Sequence, residues 1–239
     1  MLIIQDCEVM GFRMAISGMR NAMNSWDKSD SNVKSCFDMN IECGDCPYRF
    51  VGCDQCPYKK LFIGPADMKL AKSLIKAGSS DRKFLRMIHV QVNVRAPLYF
   101  WKEASTYKVA TTMNSCSTMH TLHKRELTLE DFSHEHLTGD GLSSLESTIG
   151  QINFARQAFI ETKDTSYWQE MIQLLPSSYN QLRTWDLDYE LVISIYFQRR
   201  HHKLDEWHTF CDWISKIPYM EEFISVLDKK EESNDQCNS

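Results

Sequence analysis

Residues 88–98 read Ile-His-Val-Gln-Val-Asn-Val-Arg-Ala-Pro-Leu, and this stretch decides the fold class. Its first eight residues alternate strictly between apolar and polar side chains, which is the period of a β-strand with one buried face. Pro97 then stands where a helix can begin, because proline has no amide hydrogen to lose in the first turn. Aromatic and apolar residues follow at helical spacing as far as Tyr107. The stretch therefore predicts a strand that leads directly into a helix.

Helical and strand patterns continue on both sides of this stretch. Asp67 is expected to cap a helix that Gly78 ends, and Asp188 is expected to cap another that runs to Arg200. Residues 127–142 read as a polar loop. Further helices are predicted over residues 142–162, 166–174, 205–216 and 219–229, with a second strand over residues 181–187. These elements predict one α+β domain over residues 1–230, followed by a disordered tail at 231–239.

Composition limits the classes of function. The chain has 239 residues, 43% of them hydrophobic, and a net charge of −5 with scattered basic residues. Nucleic-acid binding depends on clustered positive charge, so the composition argues against a nucleic-acid partner. No apolar run approaches the roughly 20 residues that span a bilayer, and the first residues do not have the pattern of a signal peptide. We therefore expect no membrane association and a cytoplasmic location.

Four of the nine cysteines form a repeated knuckle within a cysteine-rich insert at residues 36–58. Two C-x-x-C pairs, each followed by Pro-Tyr, are separated by six residues, and four thiolates suit a tetrahedral zinc ion. The open alternatives are free thiols, a transient disulfide, or an iron–sulfur cluster with Cys36 as a further ligand. Because four cysteines leave no free coordination position, such a zinc site would be structural. The predicted ligands are Cys43, Cys46, Cys53 and Cys56.

Residues 111–118 are dense in hydroxyl groups, which can donate to a phosphate or to the edge of a base. A plain polar loop with local turn bonds is the competing interpretation. Gln181 and Arg183 alternate along one face of the second predicted strand, where substrate contacts can lie. Cys116 has no neighbouring base in the sequence, so a buried thiol is favoured over a nucleophile.

From residue 94 to residue 119, the order of features resembles the signature region of the flavin-dependent thymidylate synthases. In that family a strand leads into a helix that ends in arginine-histidine-arginine, and two serines and a last arginine follow. Without gaps, the motif falls on Thr106, Tyr107 and Lys108 for the basic triplet, Thr111 and Cys116 for the serines, and Thr118 for the last arginine. If the family motif is shifted by one residue along this chain, Asn114 and Ser117 fall on positions where the family has an asparagine and a serine. One cation and the hydroxyl groups are kept, whereas the histidine and two arginines are replaced.

A second stretch carries the same resemblance. After Leu175-Pro176 come a strand, a capped helix and a further helix, in the family's order. The family's capping asparagine is Asp188 here, and an arginine two residues later is Glu190. Arg199 takes the place of the arginine near the end of that helix.

The resemblance implies a fold like that of the thymidylate synthase complementing proteins, with a central sheet flanked by helices, and a homotetramer with shared active sites. It implies a pyrimidine nucleotide enzyme, a flavoprotein methyltransferase that converts dUMP to dTMP with methylene folate, FAD and NADPH. The alternative is a catalytically inactive relative that binds a nucleotide or a protein, and a zinc-clipped nucleic-acid binder is a third possibility. The expected substrate and cofactor contacts are Lys108, Thr111, Asn114, Ser115, Cys116, Ser117, Gln181, Arg183 and Arg199.

Overall fold

The structure is a computed structural model that describes residues 1–34 and 60–235. The cysteine-rich insert and its predicted metal ligands lie outside the described residues. The insert is flanked by two short strands that pair antiparallel, with Asn32 opposite Phe62. The backbone on the two sides of the insert is therefore side by side.

The described residues form six strands and nine α-helices. The strands are β1 (Ile3–Met10), β2 (Asn32–Lys34), β3 (Lys60–Phe62), β4 (His89–Pro97), β5 (Thr111–Ser115) and β6 (Asn180–Asp188). The helices are α1 (Phe12–Gly18), α2 (Pro65–Ala77), α3 (Leu98–Ala104), α4 (Thr118–Thr121), α5 (Asp140–Thr162), α6 (Thr165–Leu174), α7 (Tyr189–Arg199), α8 (Asp205–Lys216) and α9 (Met220–Asp235). Within the described ranges, no helix has the length and apolar character needed to cross a membrane.

Four strands form the main sheet in the order β1-β4-β6-β5. The predicted alternation in β4 is confirmed, since Val90, Val92 and Val94 are buried. β4 ends at Pro97, and α3 begins at the next residue, as the sequence predicts. β5 pairs antiparallel with β6 at one edge of the sheet. The α+β class with a sheet and flanking helices is confirmed.

The chain clusters into two compact units. One comprises residues 1–8, 90–187 and 194–214, and it contains most of the main sheet. Its core includes a group of aromatic side chains. The Trp185 ring stacks on Phe210 with 5.4 Å between ring centroids, and it contacts Trp101 edge-on with 5.9 Å between centroids. A second apolar cluster in this unit lies between α5 and α6.

The other unit comprises the described residues within 9–89, 188–193 and 215–235. In this unit, Asp188 caps α7 as predicted, by accepting a hydrogen bond from the amide of Leu191 at 2.7 Å. The unit also contains α1, α2, the β2–β3 pair and α9. The single domain expected over residues 1–230 stays a prediction.

The prediction that Asp67 caps α2 is wrong. The helix begins at Pro65, and its first free amides are capped by the distant Asp30, at 2.8 Å from Ala66 N and 3.0 Å from Asp67 N. The fully buried Asp67 carboxylate instead accepts from Arg20 Nε at 2.6 Å. The predicted end of this helix at Ala77, before Gly78, is confirmed.

Burial alone would raise the pKa of the Asp67 carboxyl. Hydrogen bonds from Ser29 and Ser31, together with the Arg20 guanidinium, outweigh burial and hold this pKa below its ordinary value. The carboxylate therefore joins three separated parts of its unit through charge-assisted hydrogen bonds.

Candidate functional site

The hydroxyl-rich residues 111–115 form edge strand β5, whereas the sequence suggested a loop. Thr111 lies opposite Leu187 and Ser115 lies opposite Arg183, which fixes the register of β5 against β6. Because side chains alternate along a strand, Ser115 and Arg183 lie on one face of the sheet. Asn114, opposite Thr184, lies on the other face. The predicted contact residues are therefore divided between two faces.

Arg183 is the most unusual charge on the first face. Its Nε donates to Gln181 Oε1 at 3.0 Å, and its Nη1 lies 3.3 Å from Ser105 Oγ and 3.7 Å from Met113 Sδ. Its guanidinium carbon lies 4.7 Å from the centroid of Trp101. Among the side chains that the structure describes, no carboxylate forms an ion pair with this half-buried group, whose contacts are Gln181, Ser105, Met113 and Trp101.

Burial lowers the pKa of the Arg183 guanidinium from its ordinary value, because water that would solvate the charge is displaced. The Trp101 ring replaces part of that solvation through its π face. A desolvated cation without a carboxylate is an arrangement that favours an incoming anion.

Gln181 holds Arg183 in place. Its side chain is buried, and its Nε2 donates to the carbonyl of Cys116 at 2.6 Å while Oε1 accepts from Arg183. The carbonyl of Gln181 accepts from the indole of Trp101 at 2.9 Å. Both ends of the Gln181 side-chain amide and its backbone carbonyl are therefore engaged within the protein, and the side chain positions the guanidinium.

Thr111 is also engaged within the fold. Its hydroxyl donates to the carbonyl of Asp186 at 2.8 Å and accepts from the indole of Trp185. This hydroxyl holds the start of β5 against β6 and buries the polar end of a core tryptophan. Its role in the structure is therefore to stabilise the sheet edge.

The remaining residues of this segment are open to solvent or nearly so. Ser115 and Cys116 are exposed, so the buried thiol expected at Cys116 is wrong. The carbonyl of Ser117 accepts from Thr121 at 2.6 Å, and Ser117 precedes α4. Lys108 is exposed, and within the described part of the chain its ammonium makes no hydrogen bond or ion pair.

Arg199 lies in a different cluster. Its Nη1 pairs with Glu103 Oε2 at 3.1 Å, its Nε donates to the hydroxyl of Tyr107 at 2.9 Å, and its guanidinium lies 4.7 Å from the Trp207 ring. The family resemblance places both Tyr107 and Arg199 at motif positions, and the structure brings the two side chains into contact.

Glu103 is the centre of that second cluster. Besides Arg199, its Oε2 accepts from the indole of the fully buried Trp207 at 2.9 Å and lies 3.3 Å from Nε2 of His202. The charge of Arg199 is thus already balanced within the protein.

Helix α3 separates the two arginines. Trp101 and Ser105 are four residues apart and lie on the side of Arg183, whereas Glu103 lies about 200° round the helix from Trp101. One side of α3 therefore presents an arginine without an acid, and the other an arginine paired with one.

Sequence reasoning missed Trp101, Glu103 and Trp207 as parts of this region. Trp101 and Trp207 have the residue type and spacing of ordinary core positions in α3 and α8. Glu103 is a single helical acid whose partners lie far along the chain, so no local signal marked any of the three. In the described ranges, no three His, Cys, Asp or Glu side chains are arranged to hold a metal ion.

No protein-family model matches the chain, and no curated protein matches its sequence. Solved structures do match. Thymidylate synthase X from Helicobacter pylori with FAD and dUMP has a TM-score of 0.62 at 12% identity, over 94% of this chain and 96% of that one. A second complex of that enzyme with FAD and dUMP has a TM-score of 0.60 at 11% identity, over 93% of this chain and 96% of that one. A UMP/dUMP methylase from Streptomyces cacaoi bound with 5-Br dUMP has a TM-score of 0.57 at 11% identity, over 95% of this chain and 94% of that one. The chain therefore has the fold of the flavin-dependent thymidylate synthases, which is the fold that the sequence resemblance implies.

Proposed function

We propose that this chain is a pyrimidine nucleotide enzyme that methylates dUMP to dTMP with FAD, methylene folate and NADPH. The observation that carries the proposal is the likeness over nearly the whole chain to solved proteins that hold FAD and dUMP. A third similar protein holds a dUMP analogue. The shared fold supports a nucleotide ligand more directly than it supports a particular reaction.

The described residues fit a phosphorylated ligand. The half-buried guanidinium of Arg183 has no acid partner among the side chains that the structure describes, and the exposed Lys108 offers a second cation. The exposed hydroxyl of Ser115 adds a hydrogen-bond donor opposite Arg183. When bound, FAD would supply the redox chemistry, and these residues would bind and orient the phosphate groups.

A second candidate function is a nucleotide-binding or protein-binding relative without catalysis. The observation that favours it is the replacement of the basic triplet by Thr106, Tyr107 and Lys108. In addition, Arg199, the residue that the resemblance assigns to substrate binding, already forms an ion pair with Glu103. Both changes reduce the number of arginines that can grip a phosphate through a planar fork.

The test combines product formation with binding. The protein is incubated with dUMP, methylenetetrahydrofolate, NADPH and FAD, and dTMP is measured by chromatography, with a sample lacking FAD as control. We expect FAD-dependent dTMP. Binding of dUMP without product would support the non-catalytic relative, and neither binding nor product would refute a nucleotide function.

Lys108 allows a sharper form of this test. Lys108→Met keeps much of the stem and removes the charge, so we expect folding to survive and dUMP affinity to fall by a few fold, more strongly at low salt. Lys69→Met, at an exposed position of α2, is the matched control. Equal affinities for the two variants and the unmodified protein would remove Lys108 from the site.

Finer features of the proposal have separate supports. The repeated C-x-x-C-P-Y sequence supports one structural zinc ion held by four cysteines. The family resemblance supports NADPH as the reductant and a homotetramer, which light scattering can test. A cytoplasmic location stays a prediction from composition.

A further inference from the structure

We propose that Arg183 is the group with which this chain binds a ligand phosphate, and that Glu103 withdraws Arg199 from that role. The inference rests on the proposed nucleotide function, but it assigns the anion site to a position outside the basic motif. The ligand chemistry is a phosphate ester, which either dUMP or FAD can supply.

The first support is the set of unused donors on Arg183. Gln181 accepts from Nε, whereas Nη1 has only the 3.3 Å contact with Ser105 and a thioether at 3.7 Å. In the part of the chain that the structure describes, Nη2 has no acceptor at all. A guanidinium has five N–H groups in a fixed plane, so Nη2 and part of Nη1 are left to form the fork that phosphate oxygens prefer.

The second support is preorganisation. The Gln181 amide links Arg183 Nε to the backbone of Cys116, and the Trp101 ring covers one face of the guanidinium. Holding the fork in place before binding reduces the entropy lost when a ligand arrives. Ser115, directly opposite Arg183 in the β5–β6 register, places an exposed hydroxyl beside the same edge.

The third support is the contrast with Arg199. Its Nη1 pairs with Glu103 and its Nε with Tyr107, while Trp207 lies against the plane of the group. A phosphate would have to compete with a carboxylate that also satisfies a buried indole. Of these two arginines, only Arg183 has a charge that the protein itself leaves uncompensated.

The experiment measures phosphate-ligand affinity in matched variants of the full chain. Calorimetry follows dUMP, and quenching of flavin fluorescence follows FAD. We expect Arg183→Gln to lose at least about tenfold in affinity for one of them, the loss typical when a charged hydrogen bond is removed. Arg183→Lys keeps the charge but loses the planar fork, so its affinity should lie between those of Arg183→Gln and the unmodified protein. Arg13→Gln, at an exposed position of α1, is the control and should bind like the unmodified protein.

The two ligands distinguish the source of the phosphate. A loss confined to dUMP assigns the site to the substrate, and a loss confined to FAD assigns it to the flavin. Equal affinities in Arg183→Gln and the unmodified protein for both ligands would overturn the inference and leave the nucleotide function standing. A larger loss in Arg199→Gln than in Arg183→Gln would overturn it as well.

Failure of the proposed function has a different signature. If the unmodified protein binds neither dUMP nor FAD, sodium pyrophosphate serves as the probe in thermal unfolding. Stabilisation of the unmodified protein and of Arg13→Gln, but not of Arg183→Gln, would keep the anion site. No stabilisation of the unmodified protein would overturn it. Circular dichroism establishes that each variant is folded, and Arg183→Lys provides the comparison if Arg183→Gln is not.

Discussion

Glu103→Ala removes the acceptor for three donors at once. The fully buried indole N–H of Trp207 loses its partner, which costs about 1–3 kcal/mol. The ion pair with Arg199 has side chains 19% and 35% exposed, so solvent screening limits its contribution to about 0.5–1 kcal/mol. Together we expect a loss of about 2–4 kcal/mol, which for a chain of this size lowers the melting temperature by roughly 4–16 °C.

Glu103→Gln separates the two contributions. The amide oxygen can still accept from the Trp207 indole, so this variant should lose only about 1 kcal/mol. Urea unfolding followed by circular dichroism measures both variants, and Glu146→Ala, at an exposed position of α5, is the control. Equal stabilities of Glu103→Ala and Glu103→Gln would refute the role assigned to the buried hydrogen bond.

The same glutamine variant also tests the state of Arg199. Without the Glu103 charge, the guanidinium is released to attract anions, so the affinity for a phosphate ligand such as dUMP should rise by a few fold. A fall in affinity would instead indicate that Glu103 itself contributes to the ligand site.

Three further predictions concern other parts of the chain. Because the pKa of Asp67 is held below its ordinary value, its stabilisation is present at neutral pH and is lost as the pH falls from about 4 through the native pKa. The difference in urea midpoint between the unmodified protein and Asp67→Asn should therefore shrink below pH 4, and a difference that is independent of pH would contradict this. Burial raises the pKa of the Cys211 thiol to about 12, so iodoacetamide should label the exposed Cys116 in the native protein and Cys211 only after unfolding, as peptide mass spectrometry can show. Elemental analysis of protein purified without chelator should find about one zinc per chain. A Tm that is unchanged in metal-free protein would argue against a structural metal bound by Cys43, Cys46, Cys53 and Cys56.

The elements that the sequence predicted are those with a strong local period. β4 has three buried valines in alternation, and β6 and α7 follow from an apolar pattern with Asp188 as a cap. β5 was missed because it is a short polar edge strand, and its identity depends on pairing with β6 about 70 residues further along. β1 is largely exposed and shows no alternation of burial, so no periodic signal marked it.

The candidate site shows the same division between local and distant information. Gln181 and Arg183 were selected because they alternate on a strand, and the structure joins them in one hydrogen-bonded group. The pairing of Glu103 with Arg199 spans 96 residues, so nothing in the local sequence could show that this arginine is already engaged. Asp30 likewise caps a helix that begins 35 residues later, which is why Asp67 was given that role in its place.

The absorption spectrum of the purified protein, taken before and after incubation with FAD and removal of free flavin, tests the central claim most directly. The proposed function predicts that blue-absorbing flavin bands stay with the protein. It also predicts that dUMP perturbs these bands, since the similar Helicobacter pylori structures hold FAD and dUMP together. A protein fraction that carries no flavin even after FAD has been added would contradict the claim.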